Sequence, residues 1–293
     1  EFIRYTLEQP YFQTKGRTLL LLCEEGEVEF DASLLKKSRT DLEIIEDKEA
    51  FTPEHLIALE KKYAPERIII EYNGMWNFKE CKLPFHWKIE QQITTIDAST
   101  FTMYYTNMKS LLAEMLRNSD MIIFNRCDGI RDLSSYKRNV KAINQKAEII
   151  FEDANGEVNA IMEDELPYDL KQDVIELDDK GYGIWYLDML DNAYRYENKK
   201  LVFTAMVLKP ESFPENFFVP GRMAMTCCAE DMAFLGFACE YDKAASLKEK
   251  QWVKVTATAS WEYWADYEGE GPVLHAVSVE PAKAPKKEVI DFT

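Results

Sequence analysis

Three stretches place carboxylates directly after apolar runs. Arg67–Gly74 reads RIIIEYNG: three consecutive Ile residues, then Glu71, with Gly74 three positions on. A β-branched run of this kind reads as a strand buried on both faces, the type found at the centre of a parallel sheet. Open α/β sheets bind ligands at the carboxyl ends of their strands. A carboxylate there can hold a magnesium ion or orient a water, and a glycine lets backbone approach a phosphate. Arg17–Cys23 (RTLLLLC) is a second buried run, followed by Glu24–Glu27 (EEGE). Asp120–Asn125 (DMIIFN) is a third, followed by Arg126, Cys127 and Asp128. An Asp at that point can accept both N1–H and the exocyclic amine of guanine. Asn125 can support the loop and reach the base, and the stem of Arg126 can lie across the purine face. Each stretch taken alone also reads as an ordinary polar turn. Their order, EEGE then ExxG then NRxD, is the stronger signal.

Other reactive residue types are less organised. Cys227, Cys228 and Asp231 could offer zinc two thiolates and a carboxylate. Adjacent strand residues point to opposite faces, so the expectation is core cysteines and no metal. The three His, His55, His86 and His275, are scattered, and only His55 has an adjacent carboxylate, Glu54. Trp252, Trp261, Tyr263, Trp264 and Tyr267 cluster; alternation puts part of them in a core, and an exposed remainder would mark an interface.

The elements that must position these residues alternate. Strands are expected at Arg17–Cys23, Asp41–Glu46, Arg67–Glu71, Gln92–Asp97, Asp120–Asn125 and Ala147–Phe151. Helices are expected at Glu1–Gln9, Ala32–Lys37, from Pro53 behind a Thr52 cap, over Thr100–Asn118 and over Leu133–Gln145. That alternation implies an α/β fold with a mainly parallel sheet over residues 1–160, with Glu24, Glu71 and Asn125 at one sheet edge. Acidic, turn-rich sequence at 161–200 reads as a linker. From residue 201 the period becomes two, with five strand-like runs between Leu201 and Val279. Five strands punctuated by Pro and Gly suit a small OB-like β-barrel over 201–293.

Composition narrows the function. The chain has 293 residues and a formal net charge of −17. That charge disfavours nucleic acid and anionic membrane surfaces. No apolar run approaches the ~20 residues of a membrane span. No signal peptide is visible, and six Cys residues without a CxxC pair suit a reducing cytoplasm.

The first half resembles the nucleotide-binding domain of the CobW/HypB/UreG family of P-loop GTPases. The matching segments are Cys23–Val28 (CEEGEV), Ile68–Gly74, Ile96–Ala98 (IDA) and Asn125–Asp128, with Arg126 where the family usually has Lys. The resemblance covers about residues 1–160. It implies a P-loop GTPase-type fold binding GTP and Mg2+. Glu24, Glu27 and Glu71 would serve catalysis around the metal and the attacking water, while Gly74, Asn125, Arg126 and Asp128 would bind nucleotide. Two features depart from the family. No G-x-x-x-x-G-K-[ST] loop occurs in the sequence, and the family carries that loop just before a helix like Glu1–Gln9. The chain is therefore expected to start just after it, and as given to bind nucleotide poorly. The family's Cys-x-Cys-Cys metal motif is also absent, with no Cys in Ile44–Thr52. The second half resembles the C-terminal domain of YcgQ-like proteins, a family of unknown function, through GRMAMTCCAEDMAFLGFACEY, QWVKVTATA and GPVLHAVSVEPAKAP.

Two functions follow as expectations. One is a cytoplasmic GTP-binding and GTP-hydrolysing regulatory protein whose barrel binds a client protein. The other is a non-catalytic interaction protein with a degenerate nucleotide-binding domain, partnering a permease.

Overall fold

The computed structural model describes residues 1–24, 26, 29–158, 166–225 and 232–291. The chain divides into two compact units, Glu1–Gln92 and Ile93–Thr293.

In the first unit α1 (Phe2–Glu8) leads to β1 (Thr18–Leu22), α2 (Ala32–Lys37), β2 (Thr40–Ile44), α3 (Pro53–Tyr63) and β3 (Arg67–Glu71). The three strands are parallel in the order β2-β1-β3. Alternation explains why β1 and β3 are apolar throughout. Leu19, Leu21, Ile68 and Ile70 pack on one face with Leu56 and Leu59 of α3. Leu20 and Ile69 pack on the other with Leu7 of α1 and Leu34 of α2. Thr52 caps α3 by accepting a hydrogen bond from His55 N, with Pro53 following at the first turn. The central strand is β1. The Ile run of β3 is covered on both faces yet lies at an edge of the sheet, so all five of its residues are half-buried.

The second unit begins with β4 (Ile93–Asp97), α4 (Phe101–Asn107), α5 (Lys109–Leu116), β5 (Met121–Asn125), α6 (Leu133–Lys141), β6 (Glu148–Asp153) and β7 (Gly156–Glu157). Strands β4, β5 and β6 are parallel, with β5 between the other two, and β7 returns antiparallel on β6. Parallel sheets are therefore the rule in the first half, but the single sheet expected over residues 1–160 is divided into two. Parallel neighbours need a crossover, usually helical. The connection from β3 to β4 offers only one short 3-10 turn, Phe78–Glu80. Glu24 and Glu71 thus follow strands of the first unit's sheet, and Asn125 ends a strand of the second unit's sheet. The helix expected over 100–118 breaks at Met108. Just before it, the side chains of Thr106 and Asn107 hydrogen-bond backward to Thr102 O and Met103 O, in competition with the helical backbone.

The remaining elements are β8 (Val174–Leu177), α7 (Gly181–Asn192), β9 (Lys200–Leu208), β10 (Phe217–Met225), β11 (Met232–Gly236), β12 (Ala238–Glu240), β13 (Trp252–Trp264), β14 (Gly269–Pro281) and β15 (Val289–Asp291). Strands β9, β10, β12, β14 and β13 close into a ring, because β10 and β13 both pair with β9. In chain order the ring runs 1-2-3-5-4-1 with only β12–β14 parallel, the connectivity of an OB barrel. Residues 174–196 lie within the stretch read as a linker, yet they build this barrel. β8 pairs with β9, and α7 buries Tyr182, Trp185 and Met189 in the barrel core. Trp185 sits 5.2 Å from Phe203 and 5.6 Å from Phe237, ring centre to ring centre. Among the described residues, no helix is long and apolar enough to cross a membrane.

Candidate nucleotide-binding site

Parallel pairing brings the ends of β1 and β3 level, with Leu22 opposite Glu71. Cys23 N then donates to Glu71 O at 2.9 Å, and Asn73 Nδ2 donates to Cys23 O at 3.1 Å. Asn73 Oδ1 accepts from Met75 N at 2.8 Å, which sets the turn. Glu24 reaches across and accepts from Gly74 N at 3.1 Å. The structure therefore joins Glu24, Glu71 and Gly74 around one pair of strand ends. The Gly74 amide, expected to face a phosphate, is held by Glu24. Burial raises the Glu71 carboxyl above its ordinary value, and the charge of Glu24 adds to the shift. Glu27 lies outside the described residues. Burial also pushes the Cys23 thiol up to about 12 and Cys81 up to about 11, so neither is a thiolate at neutral pH. An open cleft of about 370 Å³ lies beside Tyr72, lined by Lys48, Phe51, Thr52 and Glu80 among others, and none of the expected site residues lines it.

In the second unit, Ile122, Ile123 and Phe124 bury the body of β5 and leave Asn125 at its end. The chain turns sharply there. Arg126 takes a left-handed backbone conformation at φ 55°, and Cys127 N donates to Glu152 O at 3.0 Å. Asp128 Oδ1 accepts from Ala154 N at 3.3 Å, a long bond that leaves acceptor capacity unused. Asn125 Oδ1 is enclosed, with no hydrogen-bond partner. Arg126 Nη1 donates to Asp97 Oδ2 at 2.7 Å. Asp97 also accepts from Ser99 N and Ser99 Oγ, and these bonds with Arg126 hold its carboxyl below the usual range. The guanidinium of Arg126, whose stem is expected across a purine, is thus engaged by the end of β4.

Cys227, Cys228 and Asp231 lie outside the described residues. Cys239 is fully buried, and burial raises its thiol pKa. No group of three or more His, Cys, Asp or Glu suited to a metal occurs among the described residues. Two His–carboxylate groups escape sequence spacing. His86 Nε2 lies 2.9 Å from Glu60 Oε2. His275 lies between Glu240 Oε2, 3.1 Å from Nδ1, and Glu262 Oε1, 3.0 Å from Nε2, with Ser260 Oγ also 2.8 Å from Nε2. Strand pairing across β12, β14 and β13 creates this second group, and nothing in the local sequence announces it.

Comparison with known families fits both halves. Residues 11–151 match the model of the CobW/HypB/UreG nucleotide-binding domain, and residues 153–290 match the DUF1980 C-terminal domain. Each half of the chain is thus similar to one of these two domain families. Among solved structures, the crystal structure of hydrogenase maturation factor HypB from Archaeoglobus fulgidus is similar at 18% identity. It covers 52% of this chain and 74% of that one, with a TM-score of 0.35. No curated protein matches the chain. The NRxD turn and the ExxG turn both fall inside the CobW/HypB/UreG region, and the barrel with α7 falls inside the DUF1980 region.

Proposed function

We propose that the chain is a guanine-nucleotide-binding regulatory protein whose barrel engages a client protein. The observation that carries the reading is the enclosed, unpartnered Asn125 Oδ1 beside Asp128. An unsatisfied buried acceptor is costly, and a ligand that donates to it or reorganises the turn repays that cost. Asp128 supplies the acceptor pair for guanine N1–H and its amine. Adenine has no N1–H, so the site selects guanine.

Glu24 and Glu71 are the residues that would hold Mg2+, which when bound neutralises phosphate charge. The raised carboxyl of Glu71 suits it to accept a proton from a water, the task of a base in hydrolysis. Glu27 belongs to the same proposal through its EEGE segment. Hydrolysis is conditional on phosphate donors, because the sequence contains no G-x-x-x-x-G-K-[ST] loop. Four described cysteines, Cys23, Cys81, Cys127 and Cys239, are free thiols, which supports a reducing compartment such as the cytoplasm.

The second reading, an interaction protein with a degenerate nucleotide site and a permease among its partners, is favoured by one contact. Gly74 N, the amide expected for phosphate, is already hydrogen-bonded to Glu24. Calorimetric titration with GTP and ATP, in a form supplied with a phosphate-binding loop, separates the two readings. Preference for GTP, lost on Asn125→Ala, supports the first. Equal or absent binding, unaffected by that change and by Glu24→Gln, supports the second.

A further inference from the structure

The hairpin of β13 and β14 has a charge and an aromatic pattern that neither half's nucleotide chemistry uses. From Val255 to Pro281 it contains no Lys or Arg, while Glu262, Asp266, Glu268, Glu270 and Glu280 lie along it. Those five carboxylate residues are all exposed. Strand alternation sends Val253, Val255 and Ala257 of β13 into the barrel core, and Ala259 packs at its margin. Trp261 and Tyr263 continue that same face but are 48% and 69% exposed. Their cross-strand partners are Pro272 and Glu270. The inward face of the hairpin therefore ends in two large uncovered rings with a carboxylate opposite the second. Large exposed aromatics on a soluble face mark a contact surface.

We infer that Trp261, Tyr263 and Glu270 form a docking face for an extended, Lys- or Arg-bearing segment of a partner protein. Two ring faces two residues apart on a strand lie about 7 Å from each other. An extended peptide presents alternate side chains at the same interval, so the face fits cationic residues at positions i and i+2. Each cation would sit over an aromatic ring, with Glu270 as counter-charge. The surrounding carboxylates raise the local concentration of a basic segment and repel phosphate-bearing ligands. This inference rests on the reading that the barrel engages a client. It is independent of the guanine site, so the two stand or fall by different measurements.

The test uses the full chain and a fluorescent Arg-Ser-Arg-Ser-Arg peptide, read by anisotropy at low and moderate salt. The expected result is saturable binding that weakens with salt and is absent for the Glu-Ser-Glu-Ser-Glu counterpart. Trp261→Ala and Tyr263→Ala should each weaken it about tenfold, the scale of a partly desolvated cation–π contact. Glu270→Gln should weaken it a few-fold and flatten the salt dependence. Tyr11→Ala, an exposed tyrosine of the other unit, should leave it unchanged. All variants change exposed side chains, and an unaltered far-ultraviolet dichroism spectrum and urea midpoint confirm that each is folded. No saturable binding, or equal binding by wild type and Trp261→Ala, overturns the inference. So does a neutral oligosaccharide that binds these rings while the basic peptide does not.

Discussion

The unpartnered Asn125 acceptor makes a prediction about stability as well as binding. Two asparagines of the second unit differ in how fully their amides are used. Asn144 is buried, and its amide is saturated. Its Nδ2 donates to Leu116 O and Ser119 O, both at 2.8 Å, and its Oδ1 accepts from Lys146 N at 3.1 Å and Ala147 N at 3.2 Å. Truncating it to Ala deletes four bonds and strands buried carbonyls, a cost of about 2–4 kcal/mol. Asn125 Oδ1 makes none. Truncating it removes an unsatisfied acceptor worth about 1–3 kcal/mol. Against that stands the lost packing of a half-buried side chain, about 1 kcal/mol. Asn125→Ala should therefore range from unchanged to about 2 kcal/mol more stable than wild type, while Asn144→Ala is clearly less stable. Urea unfolding followed by dichroism reads both, with the midpoint compared at constant slope. In a form supplied with a phosphate-binding loop, added GTP should raise the midpoint, but not when Asn125→Ala is introduced, since only a ligand that binds the folded state stabilises it. A loss on Asn125→Ala as large as that on Asn144→Ala would refute the reasoning. Asn125 would then be a structural residue with a hidden partner, and the site would lose its main support.

Three further outcomes are expected. Glu71 has a folded pKa raised by burial, so its ionisation costs stability: the cost is absent below the ordinary carboxylate range and full above the raised value. Glu71→Gln should therefore unfold at higher urea than wild type at about pH 7, with the gap closing by about pH 4; a gap that widens toward acid would contradict the burial argument. Asp128→Asn, in a form supplied with a phosphate-binding loop, should weaken GTP about tenfold or more and favour xanthine nucleotide, whose C2 oxygen accepts the new N–H; calorimetry showing no change would remove guanine from the reading. Trp185→Ala empties a fully buried position between Tyr182, Phe203 and Phe237 and should cost about 3–5 kcal/mol, with a shift in urea midpoint below what ~1 kcal/mol produces counting against α7 as a core element.

What could be read from sequence follows from how each residue is buried. β1 and β5 were legible because both faces of each strand meet apolar neighbours, which demands an unbroken run such as Leu19–Leu21 or Ile122–Phe124. The same demand falls on an edge strand covered from both sides, which is why Ile68–Ile70 could not reveal that β3 lies at the margin of its sheet. The barrel strands were legible from alternation, but α7 was not. Its opening glycines, Gly181 and Gly183, and its Asp residues resemble turn sequence, and its helical face is recognised only against Phe203 and Phe237. The site divides in the same way. Glu71, Asn125 and Asp128 stand next to runs that locate strand ends, so residue type and order sufficed to nominate them. Asp97 meets Arg126 across 29 positions and Glu240 meets His275 across 35, distances that only strand pairing brings to contact. The satisfaction of a side chain belongs to that second class. The sequence nominates Asn125 and passes over Asn144, and it does not show that the Asn144 amide is saturated while that of Asn125 carries an orphaned oxygen. That difference arises from backbone groups delivered by other elements, and it separates a residue that holds the fold from one that the fold holds for something else.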